Sequence, residues 1–329
     1  MAEIRIDPLT GEFIIVNDKR MERPVITSQL KSSPECPFCA NSSKRHPGLP
    51  FEYESISVEN LYPSLVLKPD QTDKNISELR KGNINKSMPN MGKCEVLLYS
   101  SDHNLEFYNQ SKILTTKIMK LWKERVLELQ KNTEIKYIFI FENRGSAVGV
   151  TILHPHGQLY ALPFIPPIVK KMLKNHKKFY SRNKECLMCS IIENEKTDGK
   201  RMILENKYFI AFVPYSAKLL FEVQIVPTTH HETIVELQDE ELEAFGSIIQ
   251  AIRKKYDLLF KNKKASFMMM LYNAPVNTEK KNIFHFYLQF VCLDRDDNNF
   301  KYRASAETGL YLWTNDAVPE KVAEEFRTV

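Results

Sequence analysis

The segment TILHPHGQLYA (151–161) sets two imidazoles two residues apart in a chain with eight histidines. Two thiol pairs, CPFC (36–39) and CLMC (186–189), add the other common metal ligand and nucleophile. In an extended strand, residues i, i+2 and i+4 share a face, so His154, His156 and Gln158 project together. The run FHFYLQF (284–290) repeats the pattern: Phe284, Phe286, Leu288 and Phe290 take one face, and His285, Tyr287 and Gln289 the other. A buried polar row needs partners. Cys36, Cys39, His103 and His154 make a Cys2His2 set suited to tetrahedral zinc, and Cys186, Cys189, His230 and His285 make a second. His231 is a rival to His230, which the repeat alignment favours. Reduced cysteines beside hydrogen-bonded core histidines are the plainer alternative. A four-ligand shell has no open position, so such zinc is structural. His156 is then left over, two residues from a ligand and on the same face. The metal would fix that strand and so position a neutral imidazole nucleophile. Tyr287, its counterpart, cannot play that part at neutral pH, so one half reads as catalytic and the other as degenerate.

The elements that must carry these residues also come in duplicate. After each cysteine pair follows a strand-like run, CEVLLYSSDH ending at His103 and FEVQIVPTTH ending at His230. Both contain Glu-Val and reach a histidine eight residues past the Glu. Helical periodicity follows at 113–130 (Leu114, Ile118, Leu121, Trp122, Leu129) and at 242–260 (Leu242, Phe245, Ile249, Ile252, Tyr256, Leu259). β-rich runs at 136–145 and 266–275 come next, then HPHGQ and HFYLQ. The order predicts an α+β fold, a tandem duplication of two halves, 1–170 and 171–329. The basic stretch 166–185, opened by a Pro pair, reads as the linker.

Composition narrows the function classes. Lys and Arg number 46 against 41 Asp and Glu, a mild excess that favours anionic ligands but is too diffuse to indicate nucleic acid. Glycine is scarce, at 10 residues, and neither GxGxxG nor GxxxxGK[ST] occurs, against a dinucleotide fold or a P-loop enzyme. No apolar run approaches the ~18 residues of a membrane span. The N-terminal MAEIRIDPLTGEFIIV lacks the apolar core of a signal peptide, so a cytoplasmic location is the expectation.

The segment ENRGSAVGVTILHPHGQLYALPFIPP closely resembles the active-site segment of galactose-1-phosphate uridylyltransferases, within the wider histidine-triad superfamily. DPLTGEFIIVNDKRMERP, CPFC, SSDH, VPYSAKLLFEVQIVP and RASAETGLYLWTND extend the resemblance over most of the chain. It implies two histidine-triad-like halves, each an antiparallel sheet with packed helices. It also implies a ping-pong reaction in which His156 attacks the α-phosphorus of UDP-glucose, glucose 1-phosphate leaves, and galactose 1-phosphate then takes the uridylyl group. Gln158 would hydrogen-bond a non-bridging phosphate oxygen. Arg20 and Arg23 match phosphate-binding residues, Asn143 the polar residue in the loop ahead of the motif, and Lys301 and Glu307 a sugar-binding segment. A homodimer with sites built from both chains is implied as well.

There are departures. Where some members carry a cysteine ahead of the motif, GVTIL here has only aliphatic or small residues, with Val150 nearest. An iron-type site of one Glu and three His in other members would fall on Tyr272, Tyr287 and Gln289, so that site is expected to be absent here. Ala304 and Ala306 stand where bulkier residues are frequent, leaving the sugar and the base open. An ADP-sugar or dinucleoside-polyphosphate phosphorylase or adenylyltransferase is therefore the competing enzyme reading. A zinc-stabilised binding module, for RNA through the lysines of 169–184, is the non-enzymatic one.

Overall fold

The computed structural model describes residues 2–17, 36–69, 84–260, 263–279 and 282–329. The first half runs β1 (Ala2–Ile6), β2 (Phe13–Asn17), β3 (Ile56–Glu59), β4 (Lys86–Pro89), β5 (Lys93–Leu98), α1 (Lys112–Leu129), β6 (Tyr137–Arg144) and β7 (His156–Leu162). Next come α2 (Pro167–Asn183), α3 (Leu187–Asp198), β8 (Met202–Glu205), β9 (Phe209–Phe212), β10 (Glu222–Pro227) and α4 (Asp239–Leu259). The chain ends with β11 (Phe267–Tyr272), β12 (Tyr287–Cys292), α5 (Ser305–Gly309) and α6 (Pro319–Thr328). Among the described residues no helix is long and apolar enough to cross a membrane.

Nine strands form one antiparallel sheet in the order β3-β5-β7-β6-β11-β12-β10-β9-β8. The halves meet at β6 and β11, where Phe141 pairs with Met270. Phe141 lies opposite Gln158 and Met270 opposite Gln289, so these two residues are each other's counterparts and the pseudo-two-fold axis passes between them. A smaller sheet, β2-β1-β4, packs on the first half with Phe13 stacked on Phe164 at 4.2 Å.

The long helices cover one face of the large sheet. The Ser111 hydroxyl accepts from the Leu114 N–H and starts α1. Gln238 and Glu241 form a capping box that starts α4. From α1, Ile118, Trp122 and Val126 bury against Ile138, Ile140 and Leu159; from α4, Phe245, Ile249 and Tyr256 join Met269, Leu288 and Phe290. The helices touch through Gly246, where a Cβ would meet Thr115 Cγ2 at 2.6 Å. This close approach requires glycine.

Two expectations change. The stretch 166–185 is mostly the helix α2, with Pro167 at its first turn, Val169 and His176 buried, and its lysines outside. The Glu-Val match is one residue out of step. Leu97 lies opposite Gly157 and Ile225 opposite Leu288, so Glu95 corresponds to Val223, not Glu222. A one-residue shift reverses faces. Glu95 therefore meets Arg125 on α1, whereas Glu222 meets Gln289 on the other side.

Candidate active site and metal centres

The two predicted ligand sets assemble. In each, the four ligand atoms lie within 4.8 Å of one another, and either cluster could hold a metal ion. His154 Nδ1 stands 3.8 Å from Cys36 Sγ and 3.7 Å from Cys39 Sγ, and His103 Nδ1 stands 3.3 Å from Cys39 Sγ. In the second, His285 Nδ1 is 3.9 and 3.5 Å from Cys186 and Cys189, and His230 Nδ1 is 3.6 Å from Cys189. A tetrahedral ion with bonds of about 2.3 Å to sulfur and 2.0 Å to nitrogen holds those atoms about 3.5 Å apart, so both donor sets fit.

The outer hydrogen bonds fix which nitrogen binds. His154 Nε2 donates to the Ser100 carbonyl (2.7 Å) and His285 Nε2 to the Pro227 carbonyl (3.0 Å), which leaves each Nδ1 lone pair aimed at the sulfurs. Burial pushes the Cys36 thiol up to about 12 and brings His154 down to about 4. Burial would also raise Cys186, but the surrounding imidazoles of His176, His230 and His285 hold it down at about 3.

His156 opens β7. Its Nδ1 donates to the carbonyl of His154 at 2.7 Å. A carbonyl only accepts, so the neutral ring carries its proton on Nδ1 and its lone pair on Nε2. Phe38, between the first two cysteines, packs edge-on against both histidines, with centroids 5.7 and 5.2 Å away. The cysteine turn, the candidate ligand His154 and the nucleophile candidate thus form one packed unit.

His156 lines a cavity of about 480 Å³ together with Asn143, Arg144, Pro155, Arg253 and Lys264. Asn143, which the resemblance places in the loop ahead of the motif, lies instead in β6. Arg144, Arg253 and Lys264 were not singled out from sequence. Arg253 forks onto Glu142 (2.7 and 2.9 Å), Arg144 onto Asp257 (2.6 and 2.7 Å), and Lys264 meets Glu106. A signal existed for Arg253. It interrupts the apolar face of its helix, falling at i+4 from Ile249.

The remaining predicted residues lie elsewhere. Arg20 and Arg23 fall outside the described residues. Gln158 follows on β7, half-buried and on the His156 face. Lys301 and Glu307 do not line the cavity. Lys301 Nζ is 3.3 Å from the Thr314 hydroxyl, and buried Glu307 accepts from that hydroxyl (2.5 Å) and from the Ala304 N–H (3.0 Å). In the second half, Tyr287 is buried against Met172, stacks on Tyr272 at 5.0 Å, and is held well above the ordinary phenol range by burial. Gln289 donates to Glu222 at 2.5 Å. That half presents two tyrosines and a committed glutamine where the first presents an imidazole.

Residues 1–166 match the profile of the galactose-1-phosphate uridyl transferase N-terminal domain, and residues 171–298 that of its C-terminal domain. A galactose-1-phosphate uridylyltransferase of Thermotoga maritima is 37% identical over 99% of this chain and 98% of its own length. An ADP-glucose phosphorylase of Arabidopsis thaliana is 25% identical over 99% of this chain and 93% of its own. A solved uridylyltransferase structure superposes with a TM-score of 0.86 at 28% identity, covering 99% of this chain and 98% of that one.

Proposed function

This chain belongs to the galactose-1-phosphate uridylyltransferase family, and we propose that it moves a uridylyl group from UDP-glucose to galactose 1-phosphate through His156. The observation that carries this reading is the Nδ1 hydrogen bond to the His154 carbonyl, which leaves the Nε2 lone pair as the nucleophile. Nε2 attacks the α-phosphorus, and the bond to the bridging oxygen breaks. Glucose 1-phosphate departs with that electron pair and needs no proton. The ring becomes a phosphorylated imidazolium, and its remaining proton stays on Nδ1. The His154 carbonyl faces the positive charge as it develops, an electrostatic effect preorganised by the fold. Galactose 1-phosphate then attacks the same phosphorus, and Nε2 leaves with its lone pair restored.

Gln158, two residues along the same face, donates to a non-bridging oxygen of the transferred phosphate. Asn143 positions the substrate at the cavity wall. Cys36, Cys39, His103 and His154 hold one zinc, and Cys186, Cys189, His230 and His285 a second. Bound zinc is structural in both, since each set fills four positions. Arg20, Arg23, Lys301 and Glu307 act on phosphate and sugar in a homodimer whose site draws on both chains. The halves divide near residue 170, and the enzyme works in the cytoplasm on small molecules.

Intact-protein mass spectrometry after mixing with UDP-glucose, without acceptor, tests this reading. A gain of one uridylyl group, absent in His156→Ala, is the expected outcome. The relationship to an ADP-glucose phosphorylase makes ADP-glucose the parallel arm. An adenylyl gain instead moves the assignment to that chemistry, and no adduct with either nucleotide overturns the covalent mechanism.

A further inference from the structure

The geometry points to Arg253, on α4 of the second half, as the anchor of a chain that positions the nucleophile strand of the first half; the inference rests on the reading of His156 as nucleophile. Three contacts make the chain. The Arg253 guanidinium donates through Nη2 to Glu142 Oε1 (2.7 Å) and through Nη1 to Oε2 (2.9 Å). Glu142 Oε2 also accepts from the Tyr99 hydroxyl at 2.8 Å. That hydroxyl presses on Gly157, where an added Cβ would overlap it and would lie 3.3 Å from Tyr99 Cζ. Gly157 is the residue between His156 and Gln158. The chain therefore ends on the backbone that joins the two side chains proposed to handle the phosphate, reaching it from beneath the sheet.

The buried ion pair is not required by the fold. Arg253 is fully buried and Glu142 is 2% exposed, and a pair so placed generally does no better than apolar residues of similar volume. The molecule contains that apolar solution. By strand register, Tyr99, Glu142 and Gly157 correspond to Pro227, Leu271 and Leu288 in the half without the nucleophile. The polar chain acts only on the strand of the half where His156 needs a fixed height. Phe107 and Phe267 confine the guanidinium, at 4.6 and 5.2 Å from their ring centroids, and leave the fork one orientation. Arg253, Glu142 and Tyr99 are positioning residues. They set the strand, and the strand sets Nε2.

Tyr99→Phe removes the hydroxyl that touches Gly157, and Arg253→Met removes the anchor. Both are compared with wild type for melting, nucleotide Kd and the single-turnover rate of uridylyl transfer to His156. We expect folded variants whose transfer rate drops about tenfold or more, and in Tyr99→Phe, which leaves the cavity lining intact, a Kd that moves less than about threefold, because misplacement acts on the reacting geometry. Adding Glu142→Gln to Arg253→Met removes the uncompensated charge, so it should restore the melting temperature but leave the rate low because the anchor is still absent; recovery of the rate would overturn the inference. The exchange rate of the His156 Nδ1 proton, followed in 15N-histidine-labelled protein, gives a readout without turnover and should rise in Tyr99→Phe. If Arg253→Met does not fold, Tyr99→Phe decides. Wild-type transfer rates, or losses that follow Kd with an unchanged His156 proton, overturn the inference. If wild type itself forms no adduct, the nucleophile reading fails, and the proton exchange alone decides the positioning: unchanged exchange overturns it.

Discussion

Gly157 is a steric requirement of the site before it is anything else. It faces the helices, on the opposite side of β7 from His156 and Gln158, and Tyr99 occupies the volume a Cβ would need. In Gly157→Ala the strand must lift or the tyrosine must move. Overpacking of this kind typically costs about 1–3 kcal/mol. Removing the Tyr99 hydroxyl should relieve part of that, so the variants should not add. A double-mutant cycle of Gly157→Ala and Tyr99→Phe, read by urea denaturation, should give a favourable coupling of about 0.5–2 kcal/mol. Strict additivity would show that the hydroxyl is not what excludes the side chain. His156 and both ligand sets are legible in the sequence because imidazole and thiol are scarce residue types and their spacing repeats. Tyr99 and Glu142 are not, since a tyrosine in an apolar strand and a glutamate in FENRG look like ordinary strand residues until pairing brings them beneath Gly157.

At the scale of elements, the ends of strands are pinned to helices by ion pairs. Asp257 on α4 accepts the Arg144 fork at the end of β6 and the Ala265 N–H ahead of β11. Burial alone would raise its carboxyl, but Arg144 and the backbone donor outweigh it and hold it below 3.8. A carboxylate with a lowered folded pKa contributes stability that is full above its unfolded pKa. That stability is lost as pH falls through the folded pKa. Asp257→Asn should therefore be less stable than wild type by about 2–3 kcal/mol at pH 7. The gap should close as pH drops below 3.8. A gap that stays constant down to the acid limb would assign the loss to packing instead. The two long helices and the motif strands are readable from periodicity alone, because each buries one face. Register is not. Glu-Val occurs in both halves, yet the strands slip by one residue and turn Glu95 and Glu222 to opposite faces. Hydrogen-bond pairing across the sheet decides that, and a single strand carries no record of it. The helix α2 was obscured by its lysines, which are compatible with a linker and equally with the outer face of a helix.

Across the whole molecule, the two candidate metal centres share a Cys2His2 donor set and are unequal in consequence. The first ties a cysteine turn, and the second the N-terminal turn of α3, to a loop histidine and to a histidine two residues ahead of a motif strand, over separations of 64 to 118 residues in the first half and 41 to 99 in the second. Metal binding at such sites is also folding free energy, since the unfolded chain does not preform them. Losing either centre should lower the melting temperature. Only the first contains His154, whose carbonyl holds the His156 proton and whose ring would be fixed by the ion. Replacing Cys36 and Cys39 together by Ser should remove one metal per chain and slow uridylyl transfer by about 10–100-fold, the usual scale when the support of a metal site's neighbour is lost. Replacing Cys186 and Cys189 should also remove one metal and lower the melting point. Its transfer rate well below that melting point should stay within about threefold of wild type, because the proposed nucleophile lies in the other half and Gln289 is bound to Glu222. Metal content by elemental analysis, melting and single-turnover rates on the same preparations separate the cases. Equal rate losses from the two pairs would mean that the continuous nine-stranded sheet transmits disorder from one half to the other, and that the halves cannot be treated as one catalytic unit and one scaffold.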